Sequence, residues 1–396
     1  MDQFVIVALR VVVAVYVTLL LVHSVLELWY AGRSTRSRRD QRAEASDPTR
    51  WPTVDVVVPC FNEDPALLDA CCRSLAWQAY PGRVRVWLVD DGSGNLNALR
   101  PVYRRYQGGG WSVILLPHNT GKREAQDAAV RRSHGELVLM MDSDTVIAPD
   151  AIRRAVVAFA DPCVGALSGR IGVLNASANL LTRLIHHRYR LRFEVERAAQ
   201  GWFGSLLCCP GPFSMYRRSL LAGVWGSYLT QTFAGVTCTN GDDLHLTNLV
   251  LATGHRLVLD PGVCARTCVP TALGTYVRQQ LRWNRSFYRE LWWTFAGLRF
   301  RHLYLALDVL ARALLPLLLG SALLLLAGEG VLVGWELLWH DLSLPLGMLL
   351  LNSVFLLAHR ASVQFLLLYG ALHVTLLIPV RVYALVTLAS TRWETR

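Results

Sequence analysis

The stretch GELVLMMDSDT, from Gly135 to Thr145, combines two features that decide the fold class. Its uninterrupted apolar residues, Leu137 to Met141, are typical of a buried strand in a parallel sheet. The triplet Asp142-Ser143-Asp144, which we call the acidic triplet after its two aspartates, follows directly. It lies at the strand end where open α/β sheets bind their ligands. This stretch therefore predicts an α/β domain whose chemistry lies at one edge of the sheet.

The flanking sequence, residues 51 to 273, alternates strand-like and helix-like segments. Short β-branched or apolar runs predict strands at Val54–Val58, Val84–Val89, Ser112–Leu116 and Glu136–Met141. Helical segments are predicted between and after them, at about 65–79, 97–107, 121–134 and 149–160. The alternation predicts a parallel, doubly wound sheet with its ligand site at the carboxyl ends of the strands.

Polar turns follow the first two predicted strands, on the same edge as the acidic triplet. The first turn is PCFNE, which ends in Asn62 and Glu63, and the second is DDGSG, which contains Asp91. Either turn alone is ordinary loop chemistry, since these residue types favour turns. Together, two acidic turns on one sheet edge indicate a site that grips a ribose and a base.

The acidic triplet is a DxD motif, and a candidate phosphate-binding lysine accompanies it in the sequence. Asp142 and Asp144 are suited to a hard divalent cation and the diphosphate oxygens that it bridges, although a solvated turn or a helix cap would also use them. Lys122 follows Gly121 at a predicted helix start, where an ammonium adds to the attraction for phosphate. It is the only lysine among 40 basic residues, which weakens the alternative of a chance surface lysine.

Two later motifs extend the predicted site. NGDD ends in Asp242 and Asp243 at a predicted helix start, so that one carboxylate is a candidate general base and Asp242 is also a good helix cap. RQQLRW supplies Gln279, Arg282 and Trp283 in a QxxRW pattern. An arginine suits a diphosphate, and a tryptophan offers a flat face to a sugar ring.

The composition indicates a membrane protein that carries a soluble domain. The chain is 53% hydrophobic and 17% charged, with a mean hydropathy of +0.31. These values exclude a disordered chain, a collagen-like repeat and a disulfide-stapled miniprotein. The nine cysteines have neither metal-site nor disulfide-framework spacing, and reduced, mostly buried thiols are expected.

Long apolar runs occupy both ends of the chain. They lie at Phe4 to Leu28 and at about 303–327, 342–358 and 361–389, and each is read as spanning the bilayer. Pro379 would split the last run into a span and an interfacial helix, so the side of the C-terminus is left open. Arginines cluster after the first run, which favours a cytoplasmic catalytic domain and anionic-lipid contact over nucleic-acid binding.

These patterns predict six segments. They are an anchor (1–30), a basic cytosolic linker (31–50), a catalytic domain (51–273), amphipathic interfacial helices with the QxxRW motif (274–302), a C-terminal transmembrane region of about three spans (303–391) and a WETR tail (392–396).

The ordered motifs NE, DDG, GKR, DSD, GDD and QQLRW resemble those of processive, inverting family 2 glycosyltransferases over nearly the whole chain. This family has the GT-A fold, a Rossmann-like α/β fold. Within it, GKREAQDAA, ERAAQGWFG, CCPGPFSMYRRS and VRQQLRWNRS are similar to the rhizobial nodulation chitooligosaccharide synthases. Hyaluronan synthases resemble the chain next, through GDD, where the nodulation enzymes have GED, and through WETR, although Glu394 stands where they have glycine.

The resemblance implies a UDP-sugar donor, a growing glycan acceptor, the lipid bilayer and Mg²⁺ or Mn²⁺ as partners. It implies that Asp243 and Asp242 are catalytic residues, with Asp243 as the base, and that Asp142 and Asp144 hold the metal. Acceptor binding would involve Gln279 and Trp283, and gating Trp393 and Arg396. The implied donor-binding residues are Asn62, Glu63, Asp91, Lys122, Asp142, Cys208, Cys209, Gly211 and Arg282.

The expected function is a multi-pass plasma-membrane enzyme that builds a β-linked glycan from UDP-N-acetylglucosamine, as chitooligosaccharide synthases do. A hyaluronan synthase, which also uses UDP-glucuronate, is the first alternative. A transferase acting on a polyprenyl phosphate carrier explains the DxD motif but leaves QxxRW without a role. A non-catalytic polysaccharide-export or scaffold protein would make the intact carboxylates accidental.

Overall fold

A computed structural model of the 396-residue chain describes residues 2–44, 50–298, 302–332 and 363–390. The chain divides into two compact units, one of Met1–Trp29 and Leu273–Leu388, the other of Tyr30–Ala272 and Ala389–Arg396. We call them the helical unit and the sheet unit. The predicted span at 342–358 and the tail residues Trp393 and Arg396 lie outside the described residues.

The sheet unit is built on an eight-stranded sheet with the order β3-β2-β1-β4-β7-β6-β10-β5. The strands are β1 (Val54–Cys60), β2 (Val84–Asp90), β3 (Trp111–Leu115), β4 (Leu137–Met140), β5 (Thr145–Ile147), β6 (Val164–Val173), β7 (Ser214–Arg217) and β10 (Arg256–Thr267). A separate two-stranded ribbon pairs β8 (Thr232–Phe233) with β9 (Val236–Thr237). The four predicted strands are confirmed as β1 to β4.

Those four strands pair in parallel, and so do β6 and β10 in the other half of the sheet. Strand β7 pairs antiparallel with both β4 and β6, and β5 pairs antiparallel with β10. The predicted parallel arrangement is confirmed for β1 to β4, but the whole sheet is mixed, because β7 and β5 run antiparallel to their neighbours. Strand β7 is the short segment Ser-Met-Tyr-Arg, and its direction is set by its pairing with β4 and β6 rather than by its composition.

Helices follow the strands as the alternation predicted. They are α2 (Pro65–Ala76), α3 (Leu96–Tyr106), α4 (Lys122–Val130), α5 (Ala151–Val157), α6 (Leu180–Leu191), α7 (Arg197–Trp202), α8 (Arg218–Leu229) and α9 (Asp242–Ala252). Local chemistry fixes their starts. For example, Asp64 caps α2 by accepting a hydrogen bond from the Ala66 amide at 2.7 Å, and Pro65 takes the first helical position.

The helical unit includes most of α1 (Asp2–Glu44), together with α10 (Leu273–Leu298), α11 (Leu303–Leu332), α12 (Val363–Leu372) and α13 (Ile378–Val386). Among the described residues, three helical stretches are long and apolar enough to cross a membrane: Val7–Ser34, Leu303–Leu325 and Leu367–Val386. The last contains Pro379 without dividing, so the predicted split there is wrong. A π-helical turn, His373–Leu377, joins α12 to α13 just before the proline and keeps the path helical.

Strand β1 lies at the centre of the parallel half, and its valines Val56, Val57 and Val58 are fully buried. One charge is buried among them. The Asp55 carboxylate accepts hydrogen bonds from the backbone amides of His134 and Gly135, both at 2.6 Å. These bonds fix the turn that delivers the chain into β4, and with it the position of the acidic triplet.

Replacing Asp55 with alanine leaves two buried amides without their acceptor. We expect Asp55→Ala to lower the free energy of unfolding by about 2–3 kcal/mol, because bonds to a charged acceptor are strong and buried unpaired donors are costly. Thermal unfolding of the purified protein measures this. Arg50→Ala is the control, since it removes only an exposed ion pair with Glu136 and should cost about 1 kcal/mol or less. Equal losses in the two variants would contradict the role of Asp55.

Candidate functional site

The carboxyl ends of β1 and β2 carry the two predicted polar turns, and hydrogen bonds join them. The Asn62 amide donates to Ser93 Oγ at 2.9 Å, and the Gly94 amide donates to Asn62 Oδ1 at 2.7 Å. Asn62 has a φ of 51°, a conformation uncommon for a residue with a side chain. Strained backbone of this kind persists where neighbouring contacts over-determine it, and it is frequent at functional sites.

Glu63 connects the first turn to the DxD motif. Its side chain is buried, and Ser143 Oγ, between the two aspartates, donates to Glu63 Oε2 at 2.6 Å. The sequence predicts Glu63 as a donor-binding residue, and the structure places its carboxylate against the loop that carries the DxD motif. The orientation of that loop therefore depends on Glu63.

Asp91 organises the loop that precedes α4. Its Oδ1 accepts from the Thr120 amide at 2.8 Å and from Thr120 Oγ1 at 2.9 Å, and its Oδ2 accepts from the Gly121 amide at 2.9 Å. Gly121 has a φ of 100°, which a residue with a side chain adopts only with strain. Asp91 thereby fixes the start of α4, where Lys122 lies.

Lys122 brings two separate motifs together. Its Nζ lies 2.8 Å from Asp142 Oδ1 of the DxD motif and 3.1 Å from Asp242 Oδ2 of the NGDD motif. Burial lowers the pKa of Lys122, but the two aspartates outweigh it and hold that pKa well above its ordinary value. The group is an ammonium between carboxylates that the sequence separates by a long stretch of chain.

The DxD carboxylates have the chemistry of a site for a hard divalent cation. Asp144 Oδ1 accepts from Thr267 Oγ1 at 2.9 Å, and Asp142 faces Gly211. A Cβ at Gly211 would lie 2.8 Å from both Asp142 carboxylate oxygens and from Lys122 Nζ. The absence of that side chain leaves a cradle around oxygen ligands, which suits Mg²⁺ or Mn²⁺.

Asp243 lies in the first turn of α9 and is held on two sides. Its Oδ1 accepts from the Leu244 amide at 2.9 Å, and the Cys208 thiol lies 3.5 Å from Oδ2 as a weak donor. Thr247 ties the two segments, since its hydroxyl donates to the Asp243 carbonyl and accepts from the Cys209 amide. The adjacent cysteines are therefore fastened to the helix that carries the predicted base.

The Cys208 thiol is kept protonated by its surroundings. Burial raises its pKa well above the ordinary value, Asp243 raises it further, and Arg197 opposes both. A protonated thiol remains a hydrogen-bond donor to the Asp243 carboxylate. Cysteine spacing alone did not indicate this contact.

Several hydroxyl residues complete the site and were not predicted from sequence. The hydroxyls of Thr120, Ser143 and Thr267 donate to predicted carboxylates and that of Thr247 to the Asp243 carbonyl, while the Ser93 hydroxyl accepts from the Asn62 amide. The available signal was a serine or threonine in a turn or helix beside an acidic residue. That pattern is too common in loops to single them out.

The QxxRW residues belong to the other compact unit. Gln279, Arg282 and Trp283 lie on α10 at positions i, i+3 and i+4, so they share one face of that helix, and all three are half-buried. The sheet unit by itself brings together the NE, DDG, GKR, DSD and GDD motifs.

Comparison with known proteins gives consistent results. The Glycosyl transferase family 2 description matches residues 55–225. An N-acetylglucosaminyltransferase of Mesorhizobium japonicum is 42% identical over 349 residues, which cover 87% of this chain and 82% of the relative. An N-acetylglucosaminyltransferase of Rhizobium sp. (strain N33) is 40% identical over 389 residues, which cover 98% and 86%.

The fold of the chain is similar to that of a solved glycosyltransferase structure. The mannosyltransferase PcManGT from Pyrobaculum calidifontis, solved in complex with GDP-Man and Mn²⁺, superimposes with a TM-score of 0.63 at 21% identity. The match covers 97% of this chain and 100% of that chain. At this identity the likeness concerns the fold, which is a GT-A fold with added helices.

The raised pKa of Cys208 leads to a labelling prediction. Only the thiolate reacts with maleimide, so at pH 7.5 we expect Cys208 to be modified at least about tenfold more slowly than the exposed Cys163. Mass spectrometry of tryptic peptides after timed labelling measures both rates. Labelling of Cys208 as fast as Cys163 would contradict a protonated, hydrogen-bonded thiol.

Proposed function

The chain belongs to glycosyltransferase family 2, and we propose that it transfers N-acetylglucosamine from UDP-N-acetylglucosamine to a growing β-linked glycan at a membrane. One observation carries the proposal: the Lys122 ammonium joins the DxD and NGDD motifs, so that a diphosphate site and a base candidate adjoin each other. The relatives named N-acetylglucosaminyltransferase support the choice of sugar.

The proposed reaction is a single in-line displacement at the anomeric carbon of an α-linked donor. Asp243 accepts the proton of the acceptor hydroxyl as its oxygen forms a bond to that carbon. The bond between the carbon and the diphosphate oxygen breaks, UDP leaves with the electron pair, and the product is β-linked. The Leu244 amide and the Cys208 thiol hold the two carboxylate oxygens of Asp243 in place for this role.

Asp142 and Asp144 would hold Mg²⁺ or Mn²⁺, and such an ion would supply positive charge for the diphosphate of the leaving group. Lys122 supplies a further positive charge at the same place, and Arg282 is proposed to do so from α10. Asn62, Glu63 and Asp91 are proposed to shape the uridine side of the donor site, and Cys208, Cys209 and Gly211 to line the donor pocket. Gln279 and Trp283 are proposed to bind the acceptor, and Trp393 and Arg396 to gate its passage.

The proposed setting is the plasma membrane, with several spans and a cytoplasmic catalytic domain. The three apolar helical stretches support insertion, and the basic residues after the first of them support this orientation. The proposed segments are 1–30, 31–50, 51–273, 274–302, 303–391 and 392–396, in the roles given above.

A hyaluronan synthase remains the second candidate because of the GDD and WETR motifs. Membranes are incubated with labelled UDP-N-acetylglucosamine and Mn²⁺ or Mg²⁺, with and without UDP-glucuronate. Short chitinase-sensitive oligomers from the single donor would support the first proposal. A long hyaluronidase-sensitive polymer that needs both donors would establish the second, and an organic-extractable product would replace both with transfer to a lipid carrier.

Asp242 and Asp243 are adjacent but have different proposed roles. We expect Asp243→Asn to reduce transfer by about 10³-fold, in the range for loss of a general base, while UDP affinity changes less than about twofold. Asp242→Asn removes a partner of Lys122 and should weaken UDP binding. Isothermal titration with UDP and a UDP-release assay separate the two effects. Loss of UDP binding in Asp243→Asn would refute the assignment of the base.

Gly211→Ala tests the cradle around Asp142. The added Cβ would lie 2.8 Å from the carboxylate oxygens and from Lys122 Nζ, so these groups must shift. We expect the KM for the donor to rise at least about tenfold, which corresponds to about 1.4 kcal/mol if KM follows affinity. Gly223→Ala is the matched control, since nothing lies within 4 Å of a Cβ there. An unchanged KM in Gly211→Ala would contradict a donor site at this glycine.

A further inference from the structure

A chain of polar contacts crosses the helical unit from α1 to α10. We call it the polar chain, and its members are His23 and Glu27 of α1, Asp308 and Arg312 of α11, Arg381 of α13 and Asn284 of α10. Polar side chains buried within apolar helices are costly unless they contact one another, and in membrane-spanning helices such residues are usually functional.

The first part of the polar chain fixes α11 to the N-terminal helix. His23 Nε2 lies 2.7 Å from Asp308 Oδ1, and both side chains are buried. Arg312 Nη2 donates to Glu27 Oε1 at 3.0 Å, and its Nε lies 2.8 Å from Asp308 Oδ1. The Arg312 guanidinium supplies the positive charge between these two carboxylates, so the segment of α11 around it has a defined partner on α1.

The second part starts from a proline. Pro316 lies inside α11 and has no amide hydrogen, so the carbonyl four residues earlier, that of Arg312, lacks its helical donor. Arg381 supplies the missing donor, because its Nη1 donates to the Arg312 carbonyl at 2.6 Å. The adjacent carbonyl, of Ala313, accepts from the Tyr288 hydroxyl at 3.2 Å. In apolar surroundings a backbone carbonyl needs such replacements.

The same guanidinium reaches α10. Arg381 Nε donates to Asn284 Oδ1 at 2.9 Å, and its central carbon lies 5.9 Å from the ring centres of Phe287 and of Tyr288. Asn284 is buried and follows Trp283 directly in the sequence. Arg381 therefore joins the broken turn of α11 to the residue next to the QxxRW motif.

Two further arginines hold the following turns of α10 against the end of α13. Arg285 Nε donates to Thr387 Oγ1 at 3.0 Å, and Arg289 Nε donates to the Leu388 carbonyl at 2.7 Å. On the apolar side, Leu281 packs against Val380 and Ala384. These contacts grip α10 on both sides of Asn284, so its rotation about its own axis is constrained.

We propose that Arg381 is a positioning residue for acceptor binding. By donating to the carbonyl that Pro316 leaves open and to Asn284, it sets the rotation of α10 and thus the direction in which Gln279 and Trp283 face. This proposal rests on the proposed function, in which those two residues bind the growing glycan.

The test compares Arg381→Met with the double variant Arg381→Met/Pro316→Ala in the full-length, detergent-solubilised protein. Arg381→Met should raise the KM for a short N-acetylglucosamine oligomer at least about fivefold, with the KM for UDP-N-acetylglucosamine changed less than about twofold. It should also lower the melting temperature. Pro316→Ala restores the amide hydrogen, so the double variant should regain thermal stability and keep the raised acceptor KM, since Asn284 still lacks its donor.

Val382→Ala, at an exposed neighbouring position of α13, is the control and should match the wild type. Equal changes in both KM values, or recovery of the acceptor KM in the double variant, would show that Arg381 only stabilises the fold and would overturn the proposal. Wild-type protein that transfers no N-acetylglucosamine would instead overturn the proposed function, and the positioning role with it. The stability comparison between the single and double variants would still report on the hydrogen bond from Arg381 to the Arg312 carbonyl.

Discussion

The contact of the Lys122 ammonium with Asp142 and Asp242 is the interaction on which the rest of the candidate site depends. Without a cation between them, these carboxylates would repel each other in a partly buried space. Asp91 holds the loop that presents the lysine, Glu63 holds the loop that presents Asp142, and Gly211 leaves room for the Asp142 carboxylate and the Lys122 ammonium. The surrounding hydrogen bonds thus serve to keep one charge arrangement in place.

The parallel half of the sheet and the main motifs could be predicted because they are local. A strand such as Val54–Cys60 is recognisable from its own residues, and an acidic turn directly after a strand is carried to the sheet edge by the topology. The direction of β7 could not be predicted, since it depends on pairing with distant strands rather than on composition. The contact of Glu63 with Ser143 could not be predicted either, because each residue alone is an ordinary turn residue.

In the helical unit, the effect of each proline could not be predicted from the sequence alone. Pro379 suggested a break, yet a π-helical turn absorbs it and the helix continues. Pro316 does open a carbonyl, and its replacement donor comes from Arg381, a residue far away in the sequence. A proline in the sequence indicates that a backbone donor is missing, but only the packed structure identifies the side chain that replaces it. Arg381 is explained by this need for a donor, whereas Arg312 is explained by its pairing with two carboxylates.

The use of lysine in this chain has a spectroscopic consequence. Lys122 is the only lysine, and it lies at the centre of the site rather than on a remote surface. Protein grown with ¹⁵N-lysine would therefore carry a single labelled side-chain ammonium, which needs no assignment. Its chemical shift would follow the neighbouring carboxylates and any incoming anion directly, in a protein large enough that uniform labelling would give crowded spectra.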